Sequence, residues 1–182
     1  MGVAQDFEKG MAAWNKKKWA AALREFVPLA QQGDAVAQGI LSEAYRDGKG
    51  VKQDYALARK WMLRSANQED DMAYIAQFQM GEFYALGLGV PQDFTTAVKW
   101  YRKSAEHGNR DAHSVLGHAY YKGLGVPQDN VSAHMWFNIA ASLGHPQAEK
   151  DRDIVARKMT SVELAKAQKR ASACVRKNYK GC

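Results

Sequence analysis

The stretch "YYKGLGVPQD", Tyr120 to Asp129, recurs almost letter for letter as "YALGLGVPQD", Tyr84 to Asp93, and more loosely as "YRDGKGVKQD", Tyr45 to Asp54. Such a stretch is either a loop that does chemistry several times over or a joint that an array must repeat. A phosphate-cradling loop needs GxxxxGK[ST], which is absent, and each copy ends on an aspartate that repels phosphate. As a joint, every letter has a task. The first glycine suits a left-handed helix cap. Valine acts as an apolar plug, and a residue before proline is pushed extended. The aspartate carboxylate caps the following helix.

The copies extend outward in phase. Val51, Val90 and Val126 lie 39 and 36 residues apart, and Tyr45, Tyr84 and Tyr120 keep the same offsets. So do Gly48/Gly50, Gly87/Gly89 and Gly123/Gly125, then Ala58, Ala97 and Ala133, then Trp61, Trp100 and Trp136. A period of this size marks stacked supersecondary units. Each unit reads as two helices. In the third, Ala112, Leu116, Ala119 and Tyr120 share a face, and Gly117 beside Leu116 lets a second helix approach closely. After the joint, Ala133, Trp136, Phe137 and Ala140 form the next stripe, and Gly144 ends it.

The ends of the array differ from its middle. "DFEKGMAAWNKKKWAAALREFVPLAQQGD" aligns as an earlier unit, with Gly10 at the place of Gly81, Ala22 at that of Ala97, and a short connector in place of the GxG joint. Three extra residues between the first two full units predict a longer helix or a bulged loop over Asp70 to Ala76. After Gly144, a further helix starts with Pro146 near its first turn. Thr160 and Glu163 form a capping box for another. These last helices read as a terminal cap. The expected divisions are 1–34, three units at 35–70, 71–109 and 110–145, and a cap with a basic tail over 146–182.

The chain has 182 residues, 46% of them hydrophobic, with 5 Trp, 8 Tyr and 6 Phe, enough for a packed core. No apolar run approaches membrane-spanning length. The net charge of +7 arises wholly beyond Ala156, where eight lysines and arginines meet one acid, Glu163. That end reads first as a solvated helix face and second as a contact for an anionic partner. The only cysteines are Cys174 and Cys182. A bridge between them ties the tail to a helix, is worth about 2–3 kcal/mol in the chain-entropy account and implies an oxidising compartment. Free thiols in a reducing cytosol are the alternative. The start "MGVAQDFEKG" lacks the regions of a signal peptide. It suits a mature chain whose signal has been removed, and equally a cytosolic start. His107, His113, His118, His134 and His145 form no metal-ligating motif, so no metal or other cofactor is expected. "NVS" at Asn130 matches a glycosylation sequon beside a helix start.

The pattern LGxxYxxGxGVxxDxxxAxxWxxxAA resembles the Sel-one-like repeats of the tetratricopeptide superfamily. It is carried by "LSEAYRDGKGVKQDYALARKWMLRSA", "MGEFYALGLGVPQDFTTAVKWYRKSA" and "LGHAYYKGLGVPQDNVSAHMWFNIAA", with Ser42 at the usual glycine of the first. The resemblance covers about residues 7–145; the N-terminal unit is closer to a plain tetratricopeptide repeat. It implies an all-α fold, a right-handed α-solenoid of stacked antiparallel helix pairs, and a non-enzymatic scaffold or adaptor role. Bacterial members are frequently exported and associated with envelope complexes, so a periplasmic or secreted location is expected, with a cytoplasmic one as the alternative. In such arrays a groove is lined by residues about three before, one after and four after the small positions Gly10, Ser42, Gly81 and Gly117. That rule selects Phe7, Met11 and Trp14; Gly39, Glu43 and Arg46; Phe78, Glu82 and Ala85; Ser114, His118 and Tyr121. Their mixture of aromatics and charges suits a peptide or protein segment, with Phe7 and Trp14 alternatively part of the core. A cell-wall or other envelope polymer meeting the basic end is the second reading; nucleic acid is not favoured. Some cysteine-rich members of the family have been proposed to bind or hydrolyse β-lactams. This chain has one cysteine pair and no SxxK, KTG or GxSxG, so an enzyme is not expected.

Overall fold

The computed structural model describes residues 6–68 and 73–182. The assumed start at residues 1–5, and the part of the three-residue insertion that falls on 69–72, lie outside the described residues. All regular structure among the described residues is helical. Contacts divide the chain into two compact units, Met1–Pro91 and Gln92–Cys182. The division falls inside the second joint, within a sequence repeat rather than between repeats.

The first unit holds α1 (Phe7–Asn15), α2 (Trp19–Gln31), α3 (Ala35–Asp47), α4 (Tyr55–Ala66) and α5 (Ala73–Leu86). The second holds α6 (Phe94–Ala105), α7 (Arg110–Lys122), α8 (Asn130–Ser142), α9 (Ala148–Ala156) and α10 (Ser161–Arg176). Within each unit consecutive helices pack on one another, α1 through α5 and α6 through α9, and α10 returns to α8.

Helix starts follow from the sequence. Asp54, Asp93 and Asp129 cap α4, α6 and α8, accepting from the backbone N–H of Leu57, Thr96 and Val131 at 2.9, 3.0 and 2.9 Å. Each such cap is worth about 1 kcal/mol. Thr160 and Glu163 form the capping box of α10. Pro146 lies just ahead of α9, before its N-cap Gln147 and near the first turn as expected. The joint glutamine has a task that its letter did not announce. Gln53 and Gln128 donate to the carbonyls of Arg46 and Tyr121, at 2.7 and 2.9 Å, closing the exposed end of the preceding helix.

The two joint glycines do different things. Gly48 and Gly123 are left-handed caps of α3 and α7, with φ of 70° in both. Gly50, Gly89 and Gly125 are also left-handed, but each presses on the first turn of the second helix in the preceding repeat. A Cβ there would lie 2.7 Å from Trp19 Cβ, 2.8 Å from the Tyr55 carbonyl carbon and 2.3 Å from that of Phe94, respectively. In the N-terminal unit, which lacks the joint, Lys17 takes the left-handed position itself, with φ of 56°.

Inside each pair a second close approach recurs. A Cβ at Gly10 would lie 2.8 Å from the Phe26 ring, and one at Gly117 would lie 2.6 Å from the Phe137 ring. Phe26 and Phe137 occupy the same place, four residues after the buried alanines Ala22 and Ala133. Trp61 and Trp100 each have a cation stacked three residues on, Arg64 at 4.6 Å and Lys103 at 4.5 Å. Trp136 is instead buried and meets Arg102 of α6 at 5.8 Å. The single stripe expected for α8 is too narrow: Val131, His134, Met135 and Ile139 are buried as well. α7, α9 and α10 all pack on that helix.

These contacts rank the joint glycines. Gly123→Ala meets only ordinary van der Waals neighbours and should cost about 1–2 kcal/mol of left-handed strain. Gly125→Ala adds a backbone clash and should cost about 3 kcal/mol or more. Urea denaturation of both variants checks the order.

Candidate functional site

In the first unit a trough runs between α3 and α5. Its apolar half, about 220 Å³, is lined by Val36, Gly39 and Ile40 of α3 and Ile75 and Ala76 of α5. Its polar half, about 320 Å³, is lined by Arg46 and Asp47 of α3, Glu82 and Leu86 of α5, and Gln53 and Tyr55. Gln79 lines both halves and joins them. Val36, Ile75 and Leu86 are 50%, 40% and 65% exposed, a high proportion for aliphatic side chains sharing one surface.

The charges are arranged unequally. Arg46 grips Asp47 through two hydrogen bonds, 2.7 and 3.2 Å, which hold the Asp47 carboxyl below its ordinary range. Lys49, in the joint where the other copies carry leucine, reaches Glu43 at 2.5 Å and Asp47 at 3.0 Å. It also lies over the rings of Trp14 and Trp19, 5.6 Å from each. Glu82 has no ion pair of its own among the described residues. Burial pushes its carboxyl above the ordinary range, with Arg46 pulling the other way.

Of the residues that the repeat offsets select, Gly39 and Glu43 line the apolar half and Arg46 and Glu82 the polar half. Phe7, Met11 and Trp14 instead pack against the core of the first unit. Phe7 meets Phe26 at 5.6 Å, and Trp14 meets Trp19 at 4.8 Å and Phe26 at 6.2 Å. Phe78 is half-buried and is not among the residues lining the trough. Ser114 is a correction: it is 4% exposed and lines no open surface. His118 and Tyr121 are taken up by the cap. His118 Nε2 approaches Asp151 of α9 at 3.2 Å and its ring stacks on Phe137 at 4.8 Å. Lys158 donates to the Tyr121 hydroxyl at 2.5 Å.

One geometric rule covers both places. A trough between neighbouring first helices has two different walls: positions one and four after the small residue on one helix, and two before, one after and five after it on the next. Glu43 and Arg46 thus face Gln79, Glu82 and Leu86. Aligning Ala148 with Ala112 puts Asp151 two before and Lys158 five after the matching position, opposite His118 and Tyr121. α9 therefore behaves as the first helix of a further repeat. Applying one set of offsets to every helix misses Val36, Ile40, Ile75, Gln79 and Leu86. The signal for Ile75 and Leu86 is in "AYIAQFQMGEFYAL", whose apolar residues are spread around the helix rather than gathered on one face.

The C-terminal end forms a second constellation. Cys174 and Cys182 are joined, with Cα atoms 5.6 Å apart. The loop between them carries Asn178 and Tyr179 at φ of 48° and 65°. It lays the Tyr179 ring on His113, 5.1 Å between ring centres, and within 3.3 Å of a Cβ built on Gly108. His113 is fully buried. Its Nδ1 lies 2.7 Å from the Asn109 carbonyl and its Nε2 has no hydrogen-bond partner among the described residues. The matching positions of the first two full repeats carry Gln38 and Gln77, whose amides donate to the Ala30 and Ala66 carbonyls at 3.1 and 3.4 Å. Lys166, Lys169, Arg170, Arg176, Lys177 and Lys180 are exposed around this end. The side-chain oxygen of Asn130, the sequon residue, is buried.

Paired helices, joints and an open trough define a helical-repeat protein of the α-solenoid class. The chain belongs to the Sel1-repeat family, whose model matches residues 35–70, 75–109 and 110–145, more than half its length. Proteins of that family generally serve as interaction scaffolds rather than catalysts. It is similar to the crystal structure of a Sel1 repeat protein from Oxalobacter formigenes, with 29% identity and a TM-score of 0.72 over 84% of this chain and 59% of that one. It is also similar to c5321, a protective antigen present in uropathogenic Escherichia coli strains and displaying an SLR fold. There the identity is 27% and the TM-score 0.58, over 95% of this chain and 45% of that one. The chain thus spans about half the length of these solved proteins. No curated protein matches it by sequence. No helix among the described residues is long and apolar enough to cross a membrane.

Burial holds His113, His118 and His134 below the usual imidazole range, against opposing help from the Asn109 carbonyl, Asp151 and Asp153. As pH falls through about 6.5, the unfolded chain takes up protons that the folded chain refuses, so stability declines. His113→Gln restores the residue type of the other repeats. It should shrink the loss of urea stability between about pH 7.5 and pH 5.

Proposed function

We propose that this chain is a non-enzymatic scaffold or adaptor whose first unit holds a peptide or protein segment in the α3–α5 trough. The observation that carries this is a contrast between two equivalent surfaces. The edge of α7 is occupied by the chain's own α9 and the turn after it, through His118–Asp151 and Tyr121–Lys158. The matching edge of α3 faces an open trough with exposed Val36, Ile75 and Leu86. A preformed trough requires little ordering when a segment binds.

We further propose that the protein works in an oxidising compartment, the bacterial periplasm or the cell exterior, as part of an envelope complex. The Cys174–Cys182 pair supports this, because such bridges persist where thiols are not kept reduced. A second reading is favoured by the exposed lysines and arginines of α10 and the tail: contact with an anionic envelope polymer.

Salt and substitution separate the two modes. Trough binding should fall on Ile40→Asp and Arg46→Glu and survive Lys166→Glu with Lys169→Glu. Polymer binding should do the reverse, and weaken steeply between about 50 and 200 mM salt. For compartment, the mass of protein from its native source should rise by two hydrogens on reduction, and Cys182→Ser should lower stability by about 2–3 kcal/mol. No mass change would remove the case for an oxidising location.

A further inference from the structure

We infer that the occupant of the α3–α5 trough is an extended peptide that sets an aliphatic side chain against Val36, Ile40 and Ile75 and a lysine or arginine against Glu82. This rests on the trough reading above and adds the chemistry of the partner.

Charge complementarity carries it. Arg46 is committed to Asp47 by two hydrogen bonds, and Lys49 is committed to Glu43 and Asp47. That leaves Glu82, half-buried at the polar end with no ion pair among the described residues. Two cations against three carboxylates make the trough locally acidic on a chain whose net charge is +7. A half-desolvated carboxylate gains most from a partner that brings the missing cation and hydrogen-bond donors. Burial that already disfavours its charged form points the same way. An acidic segment or a polyanion would instead add repulsion.

Spacing supplies the second constraint. Ile75 and Glu82 are seven residues apart on one helix, two turns, so they sit about 10 Å apart along α5. A chain extended as polyproline II covers that in about three residues, and its three-residue turn puts positions three apart on the same side. The motif is therefore an aliphatic residue and a lysine or arginine three positions apart. The two halves, about 220 and 320 Å³, each hold a side chain of that size.

The test is display selection of random dodecapeptides on the full disulfide-bonded chain, followed by titration of synthetic winners and of a Gly-Ser peptide as control. Enriched peptides should carry the aliphatic–basic pair at that spacing. Glu82→Gln, which keeps shape and removes charge, should weaken them about tenfold. Alanine at the peptide's basic residue should cost the same, and the two changes together little more. Ile75→Asp, checked for folding by its urea midpoint, should abolish binding. If Ile75→Asp abolishes binding but Glu82→Gln does not weaken it, or the winners lack a basic residue, the partner chemistry is wrong and the trough stands. If Ile75→Asp leaves binding intact, or nothing outcompetes the Gly-Ser control, both readings fall.

Discussion

Three times the backbone of a joint is pressed against the first turn of an earlier helix so closely that no side chain fits between. Gly50 meets Trp19 and Ala20, Gly89 meets Tyr55 and Ala56, and Gly125 meets Phe94 and Thr95. This contact limits how closely each joint approaches the earlier helix. Because the second glycine is fixed there, the first must turn the chain out of the helix in the left-handed region. The aspartate that follows must then start the next helix. Spacing between hairpins and spacing within them, set by Gly10 on Phe26 and Gly117 on Phe137, are thus both limited by the absence of a Cβ.

The same geometry produces the candidate site. Within each unit, first helices held at a set separation leave a trough whose walls are different edges of the two helices. What fills the trough then depends on the local side chains. Between α7 and α9 an Asp and a Lys from the cap reach across to His118 and Tyr121. Between α3 and α5 the walls offer Ile75 and Leu86 outward, and the charges of α3 are neutralised largely within the trough. One architecture is closed by its own chain in one place and left available in another.

Much of the fold was legible because it is local and repeated. Asp54, Asp93 and Asp129, the Thr160–Glu163 box and the left-handed Gly48 and Gly123 do what their spacing predicts. The site was legible only in part. Glu43, Arg46 and Glu82 follow from repeat offsets, but Ser114 is buried by packing that offsets do not describe. Phe7 and Trp14 pack on the core of the first unit, where they meet Phe26 and Trp19. Gln38 and Gln77 share a task that His113 does not, although the alignment places all three together. Only the Tyr179 ring laid over that histidine shows what its surroundings became.

By itself the sequence determined the helical hairpins, their caps, their period and the places where glycine is required. These depend on hydrogen bonds and sterics among residues a few positions apart, and a repeated pattern states them several times. The tertiary structure alone decided which edges of those helices stay open. It did so because the wall of a trough belongs to two helices about forty residues apart, and whether a side chain there is covered depends on what the second helix, or the terminal cap, presents to it. Glu82, without an ion pair among the described residues in one trough, and His118, met by Asp151 in the other, are outcomes of that meeting.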